Sequence, residues 1–443
     1  MSDARTQSPR NAIAIENIQL RCPRCGKQVS GTTTVFRCTC GTPFDLDPLQ
    51  FGQPWSSSAE AKALFRERLG TLPGDIARSG VWRYRELVLP VASEMIVTRE
   101  EGNTPLYAVG AAEHGGWSRV GAYVGLERLY LKHEGHNPTG SFKDRGMTAG
   151  MTVARAIGAR AVACASTGNT SASLAAYAAQ AGLPALVFLP AGKVAGGKLA
   201  QSIAYGARRI EVAGDFDRAM TQVEAVASEF GVYLLNSINP YRLAGQRSLA
   251  YEILEQMDWQ PPDWIVLPAG NLGNTSALGA GLLHARALGL IDRVPRIAAI
   301  QANGADPFYR SYATNWQDRA PVHAHTRATA INIGSPVSYL RARTVIEATN
   351  GTVAEVSDDD IFAAKAIIDR AGIGCEPASA ASLAGIAMLV RSGLMQRNAS
   401  VVAILTGNLL KDPEQATGDQ IVNGTGDAAA EELATRIRDH IRI

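Results

Sequence analysis

From residue 101 onward the chain repeats one pattern: a short apolar, β-branched run, a polar turn, then a stretch of helical periodicity. The runs RLYLKHE, AVACAS, ALVFLP, RIEVAG, VYLLNS, WIVLPAG, RIAAIQ and VVAILTG read as strands. Stretches such as TSASLAAYAAQAGL and TSALGAGLLHARALGL separate many of them and read as helices. This alternation predicts an α/β protein with mostly parallel sheets. The carboxyl ends of strands in open α/β sheets are where ligands bind, so the turns there carry the functional reading.

Three of these turns are unusual. AVACAS runs into Ser166, Thr167, Gly168, Asn169 and Thr170, and WIVLPA runs into Gly270, Asn271, Leu272, Gly273 and Asn274. Backbone N–H groups at a helix start, with glycines allowing close approach, suit a phosphate or carboxylate. The second turn is not a dinucleotide loop, because it reads G-N-L-G-N and the next strand ends at Gln301 and Ala302 without an acid. It lacks the Gly-Lys-Ser/Thr of a nucleotide P-loop as well. What remains is a cradle for one phosphate monoester. The third strand end, VVAILTGNLLKDP, leaves Thr406 at its tip, a neutral hydroxyl that can bond a ring nitrogen without protonating it strongly.

HNPTGSFKDRGM sets Lys143 after a Pro-Thr-Gly-Ser turn, at the start of a helix. The positive end of a helix dipole favours a neutral amine, and a neutral amine attacks carbonyls. The stretch therefore suits an aldehyde cofactor. The plainer reading is a capped helix with Lys143 and Asp144 exposed.

The front of the chain is different. Cys22-x-x-Cys25 precedes Cys38-x-Cys40, each pair followed by glycine. Such a module closes around one structural zinc, or stands as a metal-free remnant with a short second spacer; zinc is the expectation taken forward. Divided by pattern, residues 16–50 form this zinc-ribbon-like module and 51–98 a helical segment. Residues 99–425 form the catalytic region, with a smaller domain at about 155–240 inserted in the larger, and 426–443 a C-terminal helix.

A formal charge of +2, from 43 basic and 41 acidic residues, gives no reason to expect nucleic acid or an acidic membrane as partner. No apolar run reaches the roughly 20 residues of a membrane helix, and no secretory signal opens the chain. The lone Cys164 and Cys375 fit a reducing cytoplasm.

HNPTGSFKDRG, STGNTSAS, NSINPYRLAGQ, AGNLGN, CEPASAAS and LTGNLLKDP, in this order from Glu101 to Pro413, resemble threonine synthase. The resemblance implies a fold-type-II enzyme of pyridoxal 5′-phosphate, similar to tryptophan synthase β, with two open, mostly parallel sheets. It implies that Lys143 holds the cofactor's aldehyde carbon and then moves protons. Asn169 would bond the phenolic oxygen, Gly270 to Asn274 the phosphate, and Thr406 the pyridine nitrogen. Ser166, Thr167 and Thr170 would meet the substrate carboxylate, and Asn236, Ser237 and Arg242 the substrate phosphate. On the residues alone, NSINPYR reads equally well as an Asn-Pro turn.

The implied reaction takes O-phospho-L-homoserine and water to L-threonine and phosphate, in a homodimer. One departure bears on the substrate: Asn408 and Leu409 replace the family's His-Gly beside the pyridine edge. Rival readings are a replacement enzyme on another phosphorylated amino acid, like cysteate synthase, and a serine or threonine ammonia-lyase. A regulator built on a zinc ribbon and an inactive fold is the non-enzymatic one. His133 and His136 are expected to be packing residues, Cys164 core, and Ser357 to Asp360 a helix cap. Cys375 is placed near a helix start, which would lower its thiol pKa, but is expected to pack near the site rather than act in catalysis.

Overall fold

The computed structural model describes residues 9–166, 168–190, 196–212 and 229–415. The expected 426–443 helix and Thr167 lie outside these residues. Strands β1 (Gln19–Arg21), β2 (Gln28–Ser30) and β3 (Asp45–Leu46) form a small antiparallel sheet, order β2-β1-β3, which carries the four clustered cysteines.

A helix follows at Ser58–Leu69, started by the Ser57 side chain, which accepts from Glu60 N. The helical expectation for 51–98 fails beyond it. Pro73, Gly74, Gly80 and Pro90 break the periodicity, leaving 3₁₀ turns and one short helical turn, Arg85–Val88. The segment still buries Trp82, Tyr84 and Leu87, and Trp82 Nε1 donates to Thr148 Oγ1 at 2.7 Å.

The large sheet comprises β4 (Leu106–Ala108), β5 (Arg128–His133), β10 (Trp264–Pro268), β11 (Arg296–Ala302), β12 (Thr352–Val356) and β13 (Ser400–Leu405). Its order is β12-β11-β10-β13-β5-β4, parallel except for the β4 edge. The smaller sheet holds β6 (Ala161–Ala165), β7 (Ala185–Pro190), β8 (Arg208–Val212) and β9 (Val232–Leu234), all parallel in the order β8-β7-β6-β9. Every residue of β10 and β13 is buried, as central strands covered by helices on both faces require. All eight apolar runs are strands. β12 escaped the sequence reading because TVAEV mixes polar with apolar residues.

One buried polar network fixes the helix Lys143–Ala156 to the large sheet. Arg145 donates from Nε to Glu134 Oε2 (2.6 Å) and from Nη2 to Glu134 Oε1 (2.8 Å) and Glu252 Oε1 (2.7 Å). Lys132 Nζ donates to the same Glu252 Oε1 at 2.6 Å and to Thr104 O at 2.7 Å. These four side chains are fully buried, and the network extends through buried Arg83, which lies 3.8 Å from Glu252 and 3.1 Å from Glu255. Removing one member would leave charge uncompensated in a dry interior.

Candidate active site

Lys143 is positioned by backbone geometry. After β5 the chain turns tightly, with Gly140 N donating to Asn137 O and Gly140 at φ +83°, a conformation that favours glycine. Phe142 N then donates to Thr406 O at 3.1 Å, and Ser141 pairs with Gly407. The turn that launches the helix is thus hung on the end of β13, which makes Lys143 and Thr406 neighbours by construction. Asp144 is buried, not exposed as the plainer reading had it. It accepts from Thr139 N (2.7 Å), Thr139 Oγ1 (2.6 Å) and Ser173 Oγ (2.5 Å). Burial and the nearby Arg242 cation pull the Lys143 amine down to about 7, with Glu376 working in the other direction.

A cavity of about 1490 Å³ opens where both sheets present strand ends. Lys143, Ser166, Asn169, Thr170, Asn236, Ser237, Gly270 to Asn274 and Thr406 all line it. The Gly270 turn keeps Leu272 at φ +63°, and the helix Gly273–Ala287 starts there. Asn274 Nδ2 and Oδ1 and Thr275 Oγ1 are buried without protein partners. Unspent polar atoms at a helix start, aimed into a cavity, fit the phosphate of the cofactor that the resemblance implies.

Asn169 and Thr406, assigned by the resemblance to the phenolic oxygen and the ring nitrogen of the cofactor, share one partner. Asn169 Nδ2 donates to Glu376 Oε2 (2.9 Å) and Thr406 Oγ1 to Glu376 Oε1 (3.1 Å). Ser379 Oγ lies 3.0 Å from Thr406 Oγ1. Their convergence on one carboxylate leaves them close enough to grip a single ring. Burial raises the Glu376 carboxyl against these hydrogen bonds. Sequence reasoning passed over Glu376; the available signal was a glutamate before Pro377 at a helix start within CEPASAAS.

The substrate residues are less uniform. Asn236 spends its amide on Ala165, accepting from its N (3.1 Å) and donating to its O (3.0 Å), which leaves one N–H. Arg242 is fully buried and is not among the residues that line the cavity, although its charge reaches Lys143; Nη1 holds Leu235 O at 3.0 Å. Its Nε and Nη2 have no protein partner, and burial lowers its pKa to about 10. Asn408 and Leu409 do not line the cavity. Asn408 accepts from Leu410 N at 2.9 Å and donates to Gly135 O at 3.3 Å, while Leu409 packs on Gly374. The departure from the family motif is spent on local structure.

The sulfur atoms of Cys22, Cys25, Cys38 and Cys40 lie within 4.8 Å of one another, with two pairs at 3.5 Å. A tetrahedron with metal–sulfur bonds of about 2.3 Å needs sulfurs about 3.8 Å apart, so the set fits one zinc.

The residues set aside are structural. His133 accepts from Gly135 N, lies 2.8 Å through Nε2 from Gly374 O, and packs edge-on against His136. Ser357 and Asp360 form a capping box. Cys375 is fully buried ahead of the helix, as a packing residue; its thiol is not acidified by the helix start, because burial pushes it well up.

The family model described as pyridoxal-phosphate dependent enzyme matches residues 97–407. The chain is 43% identical over 399 residues to the threonine synthase of Methanocaldococcus jannaschii, covering 89% of this chain and 93% of that one. It is 43% identical to the threonine synthase of Synechocystis over 358 residues, 78% of this chain and 89% of the relative. Among solved structures, threonine synthase from Escherichia coli superposes with a TM-score of 0.67 at 20% identity, covering 95% and 94% of the two chains. At that identity the superposition speaks for the fold.

Proposed function

The chain belongs to the pyridoxal-phosphate dependent enzymes and, among them, to the threonine synthase family, and from that premise we propose that it converts O-phospho-L-homoserine and water into L-threonine and phosphate. The observation that carries this reading is the convergence of Lys143, the unspent cradle at Asn274 and the neutral Thr406 on one cavity. Pyridoxal phosphate, when bound, supplies an aldehyde for the substrate amine and a ring that delocalises the charge left at Cα.

The rest is the work of this chain's residues. Lys143 holds the cofactor and, once released, takes the proton from Cα and returns one at the end; a pKa of about 7 suits both directions. Gly270 to Asn274 hold the cofactor phosphate and Asn169 its phenolic oxygen. Thr406 bonds the ring nitrogen as a neutral group. Ser166, Thr167 and Thr170 orient the substrate carboxylate. Asn236 and Ser237 face the substrate phosphate from the wall, and Arg242, off the wall, lends positive potential. Over the whole reaction, Cα and Cβ each give up a proton and phosphate leaves with the Cγ–O bond, while protons return to Cα and Cγ and water supplies the hydroxyl at Cβ and one proton to the departing phosphate.

Two further assignments go with this reading. The four clustered cysteines hold one structural zinc, supported by their geometry. The protein works as a cytosolic homodimer on a small molecule without nucleic acid, supported by the family resemblance, the unpaired cysteines and the balanced charge. Among the described residues no helix is long and apolar enough to cross a membrane.

The deciding experiment gives purified protein O-phospho-L-homoserine and follows threonine and inorganic phosphate together. Equal amounts are expected, from a preparation with one zinc per chain. Phosphate without threonine would sink the proposed activity. The lowered Lys143 pKa adds a pH prediction. The neutral amine predominates above pH 7, so uptake of pyridoxal phosphate by the apoprotein should accelerate through about pH 7 and then level off. A rate still climbing between pH 9 and 10 would mean that Lys143 titrates as an ordinary lysine.

A further inference from the structure

Glu376 immediately precedes the helix Pro377–Arg391, a position whose side chain ordinarily serves the helix's first N–H groups. It does not do so here. Its side chain makes no cap hydrogen bond, its backbone N donates to Gly407 O at 3.1 Å, and the buried residue lines the cavity. Gly407 makes room for it. A β-carbon on that residue would stand 2.4 Å from Glu376 Cδ and 2.5 and 2.6 Å from the two carboxylate oxygens. An uncapped helix start and a glycine at the end of β13 together bring one carboxylate to the site.

The hydrogens around Thr406 can be counted. Gly407 N donates to Ser379 Oγ at 3.0 Å. Ser379 Oγ lies 3.0 Å from Thr406 Oγ1 and 3.5 Å from Gly407 O, so its own hydrogen goes to Thr406. Thr406 Oγ1 in turn donates to Glu376 Oε1 at 3.1 Å, while Asn169 Nδ2 donates to Oε2 at 2.9 Å. A hydroxyl has one hydrogen and two lone pairs. With its hydrogen on Glu376 and one lone pair on Ser379, Thr406 offers the cavity a lone pair and no donor. Burial opposes charge on Glu376, whereas the bonds from Asn169 and Thr406 and the charges of Lys411 and Lys143 favour it.

We propose that Glu376 is a positioning residue of the reaction, which acts through Thr406 to keep a proton on the cofactor's ring nitrogen. This rests on the assignment of Thr406 to that nitrogen and not on the identity of the substrate. A lone pair aimed at the ring can only accept, so it binds the protonated nitrogen and disfavours the bare one. Thr406 stays neutral, and the carboxylate behind it supplies the bias. A protonated nitrogen draws more of the charge left at Cα into the ring, which helps Lys143 to take the Cα proton. Asn169, with one N–H on Glu376, keeps its second for the phenolic oxygen, so one carboxylate orients both ring contacts.

The test loads full-length protein with pyridoxal phosphate isotopically labelled at the ring nitrogen and reads the NMR resonance of that nitrogen without substrate. The parent should show a protonated nitrogen. Glu376→Gln keeps the shape but can donate an amide hydrogen to Thr406, which turns the Thr406 hydrogen towards the ring. Its resonance should therefore move to that of a neutral pyridine, with absorbance of the bound cofactor as the check on folding and loading. With O-phospho-L-homoserine, Glu376→Gln should lower kcat roughly 10- to 100-fold and leave KM within about twofold, a loss typical of groups that act through a partner. Thr406→Val removes the connection, so adding Glu376→Gln to it should cost less than about twofold more. A neutral ring nitrogen in the loaded parent would overturn the proposal, because Glu376 would then carry the proton itself. So would a resonance that stays put in the glutamine variant, or losses that multiply in the double variant. If the parent makes no threonine, the activity reading fails, and the nitrogen resonance still decides the role of Glu376.

Discussion

Replacing Lys143 with alanine is expected to abolish formation of both threonine and phosphate, by at least about 10³-fold, while leaving the protein folded. Alanine loses the covalent hold on the cofactor and the group that moves the proton at Cα. The fold should survive because the Lys143 turn is held by other atoms. Phe142 N bonds Thr406 O, Asp144 is anchored to Thr139 and Ser173, and Arg145 lies in its network. The comparison requires equal unfolding midpoints for variant and parent, together with the product assay. Turnover in the variant at a tenth of the parent rate or more would remove Lys143 from the mechanism.

The second large effect is on stability. Arg145→Ala leaves Glu134 and Glu252 buried with Lys132 and Arg83 as the remaining cations, Arg83 at 3.8 Å from Glu252, and should destabilise the protein by about 3–5 kcal/mol in urea unfolding. Burial alone would raise both carboxyls; the Arg145 charge overrides it and holds them below the ordinary carboxylate range. Depressed folded-state pKa values fix the sign. The network's contribution is fully present above about pH 4.3 and is lost as the pH falls from there through the depressed values. In the variant this acid sensitivity should shrink. A loss under about 1 kcal/mol would show that the interior relaxes around the missing guanidinium.

Much of the site was legible in the sequence because its signals are local. A strand, a glycine turn and a helix start are contiguous, so the Asn169 and Gly270–Asn274 turns could be read directly, and the structure brings both to the cavity with Lys143 and Thr406. What resisted reading depends on packing between distant segments. Whether Arg242 lines the cavity is set by the helices around it. Gly150, for instance, leaves room for its side chain. Glu376 acquires meaning only when Asn169 and Thr406 meet it from residues 207 and 30 positions away. The 51–98 segment misled because its apolar spacing survives breaks that the chain uses to turn.

The hydrogen bonds that clasp the front module to the catalytic region bear on how the protein comes to be made. Gly31, Leu46 and Phe44 meet partners 210, 201 and 297 residues further along. Ribosomes add about 5–20 residues each second, so the module waits roughly 15–60 s for its last clasp to be synthesised. Its strands are two or three residues long, too little to bury a lasting core alone. An ion taken up by the four thiolates would hold it folded through that interval. Zinc supply during translation would then set the yield of active enzyme, even where the finished protein tolerates chelators.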